Sequence, residues 1–351
     1  MNKEYIFFLK YNLNILNIFN TLKHLYNKFI YSIKKRFFQT NYPGKYQYLK
    51  KFNFIPEKKI DEHEKVNLEN NDNIESEKIN LDLALATQTF SIRVKQDIFQ
   101  KQNFKDPEDY ESIHRFLWIR YYLSKKEMNP KEIQKIESLI IYWCRSSFEN
   151  DERLNDKLIW ETYTVSERII NIIFFYNKVH KDIPFIVSTQ LENMTKYVIK
   201  NLEFYNLSYG NHLINNFRGI LFYAITFQNT KLIDIFSDLL NEYLDDFTED
   251  GFTKDFSSHY QLLLYFWLYD LSELAMSKSQ KDLLVILDKY IEPLYNKSMF
   301  FYSCKSKHYS LFGDVSPDLP PKYLISLLDR EYFYNNKYSA LYLYQDSKYV
   351  G

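Results

Sequence analysis

Glycine is the scarcest structural punctuation in this chain: six residues in 351. Doubly wound sheets and (β/α)8 barrels turn the chain at many positions where only glycine sits without strain. A chain with so few of them folds mainly as helix. Its 46% apolar and 19% aromatic content can bury a large core. Such a composition excludes low-complexity disorder over most of the length. Length allows one large domain or two ordinary ones. Balanced charge, 45 Lys and Arg against 45 Asp and Glu, argues against a nucleic-acid binder. Cys144 and Cys304 are the only cysteines and cannot make a disulfide framework.

Four stretches divide the chain. Residues 1–60 are apolar and basic, with twelve Lys and Arg against Glu4 and Glu57. They read as a helical segment that either docks on the main domain or makes peripheral contact with an anionic membrane through residues 1–40. Lys10, Asn12, Asn14, Asn17, Asn20 and Lys23 interrupt residues 5–30, so no transmembrane span is expected. No secretory signal is visible either. That favours the cytoplasm, while the resemblance described below favours the periplasm. Residues 61–80 are polar and aperiodic, which predicts a linker, with His63 solvated within it. Residues 81–298 form the main domain. Residues 299–351 are loop-rich, with Gly313, Pro317, Pro320 and Pro321 as breakers.

Within the main domain, helical patterns follow one another across short connections. Asp106-Pro107 caps a segment carrying Ile113, Phe116, Leu117, Ile119 and Leu123, and Pro130 opens the next. Further helices are expected over 160–179, 187–207, 211–228, 231–246, 257–277 and 281–295. Residues 169–176 (IINIIFFY) and 262–269 (LLLYFWLY) are apolar on nearly all sides, as helices buried between neighbours are. Consecutive helices with short loops pack as hairpins, and stacked hairpins give a solenoid or an α/α toroid. No fixed-period repeat supports the solenoid. Residues 89–94 (TFSIRV) and the region after Ser298 are the only extended candidates. The expected class is therefore all-α, with a short irregular or β-like C-terminal segment.

Core packing does not explain four spots. In the first, Gly210 ends a connection, Asn211 is a candidate N-cap, and His212, Asn215 and Asn216 fall within one turn of it. In the second, Asp250-Gly251 marks a turn and Ser257 an N-cap. His259 and Tyr260 then lie in a first helical turn, where the helix dipole favours a tyrosinate. The third is Trp160, Tyr163, Ser166, Arg168 and Asn171, polar groups in an apolar helix. Arg168 keeps its charge, so burial demands a partner, and a structural ion pair competes with anion binding. The fourth is the turn from Gly313-Asp314 to Pro320-Pro321. Taken singly, each reads as capping, core hydrogen bonding or a turn.

In order, Trp160-x-x-Tyr163-x-x-x-x-Arg168, Asn211-His212, Asp250-Gly251 to Ser257-x-x-Tyr260, and Gly313-Asp314-x-Ser316-Pro317 resemble the heparinase II/III-like polysaccharide lyases. The likeness runs over about residues 106–324. It implies an incomplete α/α toroid followed by β-sandwich domains, of which this sequence carries at most the start. It implies β-elimination on an acidic polysaccharide or oligosaccharide. Asn211 and His212 would neutralise a uronate carboxylate, and Tyr260 would serve as acid or base. Asn215, Asn216, His259, Trp160, Tyr163, Arg168 and Asp314 would bind substrate. A separate β-sandwich polypeptide is the partner the resemblance leaves room for. His308 and Tyr309 lie in the linking segment, without a motif that assigns them a role. One departure is Gln261 after the tyrosine, where members commonly carry histidine. Two other functions remain open. One is a non-catalytic carbohydrate-binding or interaction toroid. The other is a hydrolase using two of Asp250, Asp255 and Asp314. No Cys/His cluster suggests a metal, and no cofactor is expected.

Overall fold

Nine α-helices among the described residues carry the fold. A computed structural model describes residues 81–92, 98–99, 104, 106–125, 129–149, 156–203, 210–303, 308–316 and 324. The expected basic segment 1–60, its membrane contact and the linker 61–80 lie outside these. All the elements named here belong to one unit of the chain, spanning Phe54–Leu202 and Gly210–Gly351. A hairpin of β1 (Leu81–Ala84) and β2 (Thr89–Ile92) comes first. The helices are α1 (Pro107–Arg115), α2 (Trp118–Lys125), α3 (Pro130–Glu149), α4 (Thr162–Lys178), α5 (Phe185–Lys200), α6 (Asn211–Thr226), α7 (Thr230–Phe247), α8 (Ser258–Ser277) and α9 (Lys281–Ser298). Two short antiparallel pairs follow α7 and α9: β3 (Thr248–Glu249) with β4 (Phe252–Thr253), and β5 (Tyr302–Ser303) with β6 (His308–Tyr309). The all-α expectation holds. None of the described helices is long and apolar enough to cross a membrane.

Packing sorts the helices into two layers. The first pair, α1–α2, packs on α4, α4 on α6, and α6 on α8, while α3, α5, α7 and α9 pack behind them. Side-chain pairs fix the directions. Tyr163 meets His212, and Glu167 meets Arg218 further along, so α4 and α6 run parallel. Phe217 meets Phe236 while the Gly210 amide donates to Tyr243, so α7 runs back. Each outer helix thus returns the chain, and α4, α6 and α8 start at the same end. This is the double-layered hairpin array of an α/α toroid. Gly219 sets the closest approach: a Cβ there would stand 3.0 Å from the Ser166 Cα.

The apolar runs behave as expected. Ile169, Ile170, Ile172, Ile173 and Phe175 are inaccessible, as are Trp267, Leu268 and Leu271. The segment opened by Asp106 is two helices rather than one, because Phe116 adopts a left-handed φ of 56° and breaks it. Glycine scarcity shows at the other helix ends. The helices α4, α6 and α8 each end on a left-handed residue, and none of these is glycine: His180, Gln228 and Ser279, with φ near 54–55°. Behind each, the next amide reaches back to a carbonyl of the last turn: Lys181 to Tyr176, Asn229 to Ala224, and Gln280 to Ala275. This six-to-one closure ordinarily uses glycine, which carries no Cβ penalty.

Charge is buried between the four inner helices. Arg120 of α2 makes a two-pronged pair with Asp270 of α8 at 3.2 and 2.8 Å, and its Nε donates to the Asn171 Oδ1 of α4 at 2.5 Å. Arg218 of α6 donates to the same Asp270 at 2.8 Å, to Glu167 of α4 at 2.9 Å and to the Asn215 Oδ1 at 3.1 Å. Two cations and two anions balance. Burial would push the Asp270 carboxyl up, but the two guanidiniums outweigh it and hold it below its ordinary value.

A left-handed residue with a Cβ costs roughly 1–2 kcal/mol. Glycine recovers part of that and gives some back as chain entropy. His180→Gly, Gln228→Gly and Ser279→Gly should each raise the melting temperature by roughly 2–4 °C, reflecting about 1 kcal/mol. Calorimetry checks this, and a fall in melting temperature would show these ends to be unstrained.

Candidate functional site

The parallel course of α4 and α6 brings together what the sequence separates. Tyr163 and His212 are each the second residue of their helix, and their rings lie 4.8 Å apart. The Arg115 guanidinium stands 5.0 Å from the centre of the Tyr163 ring. Arg115 is itself buried and held from several sides. It pairs with Glu108 at 2.8 Å, with Glu111, and with Glu161 at 3.5 Å, and its Nε donates to the Thr164 hydroxyl at 3.1 Å. A Glu161 carboxylate oxygen also lies within 4.8 Å of a His212 ring nitrogen. Burial, with Glu108 and Glu161 adding their charge, pushes the Glu111 carboxyl up to about 7 against the opposing pull of Arg115. A carboxylate titrating near neutrality beside a His–Tyr stack marks a candidate functional site.

The helix starts differ in detail from expectation. Gly210, not Asn211, is the N-cap of α6, and no side chain caps it. Asn211 is the first helical residue, half-buried like His212. Asn215 and Asn216 are inaccessible. Asn215 accepts from Arg218, and the Asn216 amide donates to Ser166 at 3.4 Å. Their expected contact with substrate is therefore corrected to a supporting role beneath the mouth.

Arg168 is corrected in the same way. It is wholly buried, and none of its hydrogen bonds among the described residues goes to a carboxylate. Its Nε donates to the His114 carbonyl at 2.5 Å and an Nη to the Ile159 carbonyl at 2.6 Å. Its charge lies 4.3 Å from the Trp143 ring and 5.7 Å from the Trp160 ring. Burial pulls its pKa down to about 9, and backbone dipoles and indole faces stand where an ion pair was expected. Trp160 packs its ring 5.4 Å from Tyr197, whose hydroxyl donates to the Trp160 carbonyl. Arg168 thus fixes the approach to α4 from below.

At the start of α8 the second and fourth motifs converge. The Ser257 hydroxyl caps the helix by accepting from the Tyr260 amide at 3.1 Å, and it donates to the Asp314 carbonyl at 2.5 Å. Ser258 exchanges bonds with Phe312, and the Tyr309 hydroxyl donates to the Ser258 carbonyl. The Ser316 amide donates to the His259 Nδ1 at 3.2 Å. Gly313 has φ +75°, and a Cβ there would stand 2.5 Å from the Phe256 carbonyl, so only glycine fits. His259, inaccessible, anchors this segment, which corrects its expected contact with substrate. Tyr260 is half-buried and Asp314 exposed. Gln261 is also structural: it accepts from the Thr253 amide and donates to the Gly251 and Leu294 carbonyls.

Relative height follows from Trp267. Its ring lies 6.2 Å from that of Tyr163, so the middle of α8 is level with the starts of α4 and α6. Tyr260 is two turns earlier, about 10 Å further along the axis. The first turns of α8 therefore stand above the His212 mouth with Tyr260 on them. Sequence reasoning missed Glu111, Arg115 and Glu161. The four-residue spacing of Glu111 and Arg115 on one helix was a readable ion-pair signal.

No protein-family model matches the sequence, and a search of curated proteins finds no match. Solved structures with partial likeness are heparan sulfate lyases. HepC from Pedobacter heparinus is 17% identical with a TM-score of 0.44, over 62% of this chain and 35% of that one. A HepC mutant is 15% identical with a TM-score of 0.46, over 67% and 38%. A heparinase III, the BT4657 gene product, is 18% identical with a TM-score of 0.40, over 71% and 43%. The alignments thus span less than half of those lyases' length.

Glu111 gives the site a pH signature. Its folded pKa is raised, so its contribution to stability is complete below the unfolded value of 4.5 and is lost as pH rises towards about 7. Glu111→Gln should flatten that fall. Urea midpoints measured from pH 4.5 to 8 check it; an unchanged slope in the variant would assign the titration elsewhere.

Proposed function

We propose that this chain is a polysaccharide lyase module that cleaves a uronic-acid-containing glycan by β-elimination. One observation carries the reading: Asn211-His212 and Tyr260 occupy the starts of two parallel inner helices at the same end of the array, with Tyr260 above the mouth. Partial positive charge at both helix starts favours an acidic sugar there. The reading rests on these positions and their motif, not on the partial likenesses.

The chemistry follows from the substrate. A C5 proton beside an ionised carboxylate is weakly acidic. Asn211 and His212 donate hydrogen bonds to that carboxylate, which stabilises the enediolate as charge develops. Tyr260 takes the C5 proton or delivers one to the departing oxygen. The electron pair left at C5 closes the C4–C5 double bond as the C4–O bond breaks, and the leaving oxygen gains a proton. Tyr163 and Trp160 line the approach, and Arg115 holds Tyr163 in place. A β-sandwich domain would supply any further catalytic group.

A hydrolytic reading has one observation of its own. Asp255 accepts from the Thr253 hydroxyl at 2.6 Å and from the Ser257 amide. Although the residue is exposed, burial of its carboxyl raises its pKa first, and the Asp314 charge adds to the rise. Two interacting carboxylates near Tyr260 could serve as acid and base.

Incubation with uronate-bearing glycans separates these readings. The lyase reading predicts products with the ultraviolet absorbance of an unsaturated uronate, reduced at least ~100-fold by Tyr260→Phe. New reducing ends without that absorbance would point to hydrolysis. Glycan binding without turnover, with or without an added β-sandwich polypeptide, would leave a non-catalytic binding toroid.

A further inference from the structure

One histidine holds the end of the Gly313–Ser316 segment against the start of α8. The Ser316 amide donates to the His259 Nδ1 at 3.2 Å. An amide can only donate, so Nδ1 carries no proton and the imidazole is neutral, protonated at Nε2. The residue is inaccessible, so water does not replace the bond while the segment is in place. The other ties of the segment do not titrate on the acid side of neutrality. Ser257 donates to the Asp314 carbonyl, the Phe312 amide to the Ser258 hydroxyl, and the Tyr309 hydroxyl to the Ser258 carbonyl.

We propose that His259 is an acid-released latch: a proton from solvent at Nδ1 ends its bond to Ser316 and frees the end of the segment from the start of α8. With Nδ1 protonated, two N–H groups face each other, and a positive charge sits in an inaccessible place. Charged and titratable groups surround the latch. Tyr260 follows it on α8, with ring centres 5.6 Å apart. The loop before α8 carries Asp255, which accepts from Thr253 and from the Ser257 amide. The segment and its approach carry Asp314, which accepts from the Val315 amide, and His308, which is exposed. On α9, Lys297 lies 5.1 Å from the Phe252 ring centre. On α6, His212 is at the mouth, and Arg218 is committed to Glu167 and Asp270. Tyr260 and its cap Ser257 are within one turn of His259, so release loosens the Tyr260 side of the mouth. That consequence for catalysis rests on the lyase reading; the latch itself does not.

Hydrogen exchange of the whole chain from about pH 8 to about pH 5, corrected for the intrinsic rate, tests this. Protection of peptides covering Phe312–Ser316 should fall at least ~10-fold over that range, while Ile169–Tyr176 of α4 stays protected. His259→Asn places an amide oxygen near the Nδ1 position, where it accepts from Ser316 and cannot titrate, so its protection should stay flat. His308→Asn and His212→Asn should both keep the wild-type fall. Flat protection in the wild type, a fall shared by α4, or a fall that persists in His259→Asn would overturn the latch. Should His259→Asn not fold, nitrogen shifts of the wild-type imidazole decide: a proton on Nδ1 at about pH 8 would also overturn it. No activity is read, so failure of the lyase reading leaves this result standing, and failure of the latch leaves the lyase reading standing.

Discussion

The Asp270 carboxylate is the point through which the inner layer is tied together. Arg120 and Arg218 both end on it, and through Asn171 and Glu167 those guanidiniums reach α4 as well. Four helices that pack otherwise by apolar surface are thereby given one register. Apolar packing alone tolerates sliding, because Leu and Ile contacts are interchangeable along a helix. A buried charge left unpaired is not tolerated, so a slip of one turn costs the whole network. The starts of α4, α6 and α8 stand at fixed heights for this reason. The candidate site is made of those starts.

The same logic separates two kinds of polar residue in the site. Arg168, Asn215, Asn216 and His259 are spent on backbone carbonyls, on neighbouring side chains or on the Gly313–Ser316 segment. Asn211, His212 and Tyr260 are half-buried at the mouth, with Tyr163 buried beside His212. The proposed substrate chemistry draws on the second set, while the first is engaged in holding the fold together. Arg115 stands between them, buried among carboxylates yet placed against the ring that meets His212.

Much of this was legible in the sequence, and the remainder was hidden for definable reasons. Runs such as Ile169–Tyr176 and Leu262–Tyr269 signal buried helices directly, since a helix apolar all round has nowhere else to go. The caps Asp106 and Ser257 also read correctly, because their side chains bond amides two or three residues on. The break at Phe116 was not legible, since a left-handed aromatic residue leaves no local signal. Arg168 drew attention as a buried cation, but its acceptors are backbone carbonyls, which every residue carries. The β1 strand was missed because its residues, LDLA, lack the β-branched and aromatic side chains that marked its partner TFSI. Arg120 and Asp270 are 150 residues apart, and only the stacking of hairpins brings them together. Glycine scarcity proved more telling than expected: it favoured helix, and it also forced His180, Gln228 and Ser279 into positions that glycine ordinarily fills.

Equilibrium unfolding of Asp270→Asn, Arg218→Met and the double variant tests the role of the buried network most directly. The prediction is a loss of about 3–5 kcal/mol for each single change, since each strands a buried charge. The double variant should lose less than the sum by more than ~1 kcal/mol, because the two act through one bond. Small, additive losses of under ~1 kcal/mol each would contradict the account and place the register of the inner helices in the apolar packing instead.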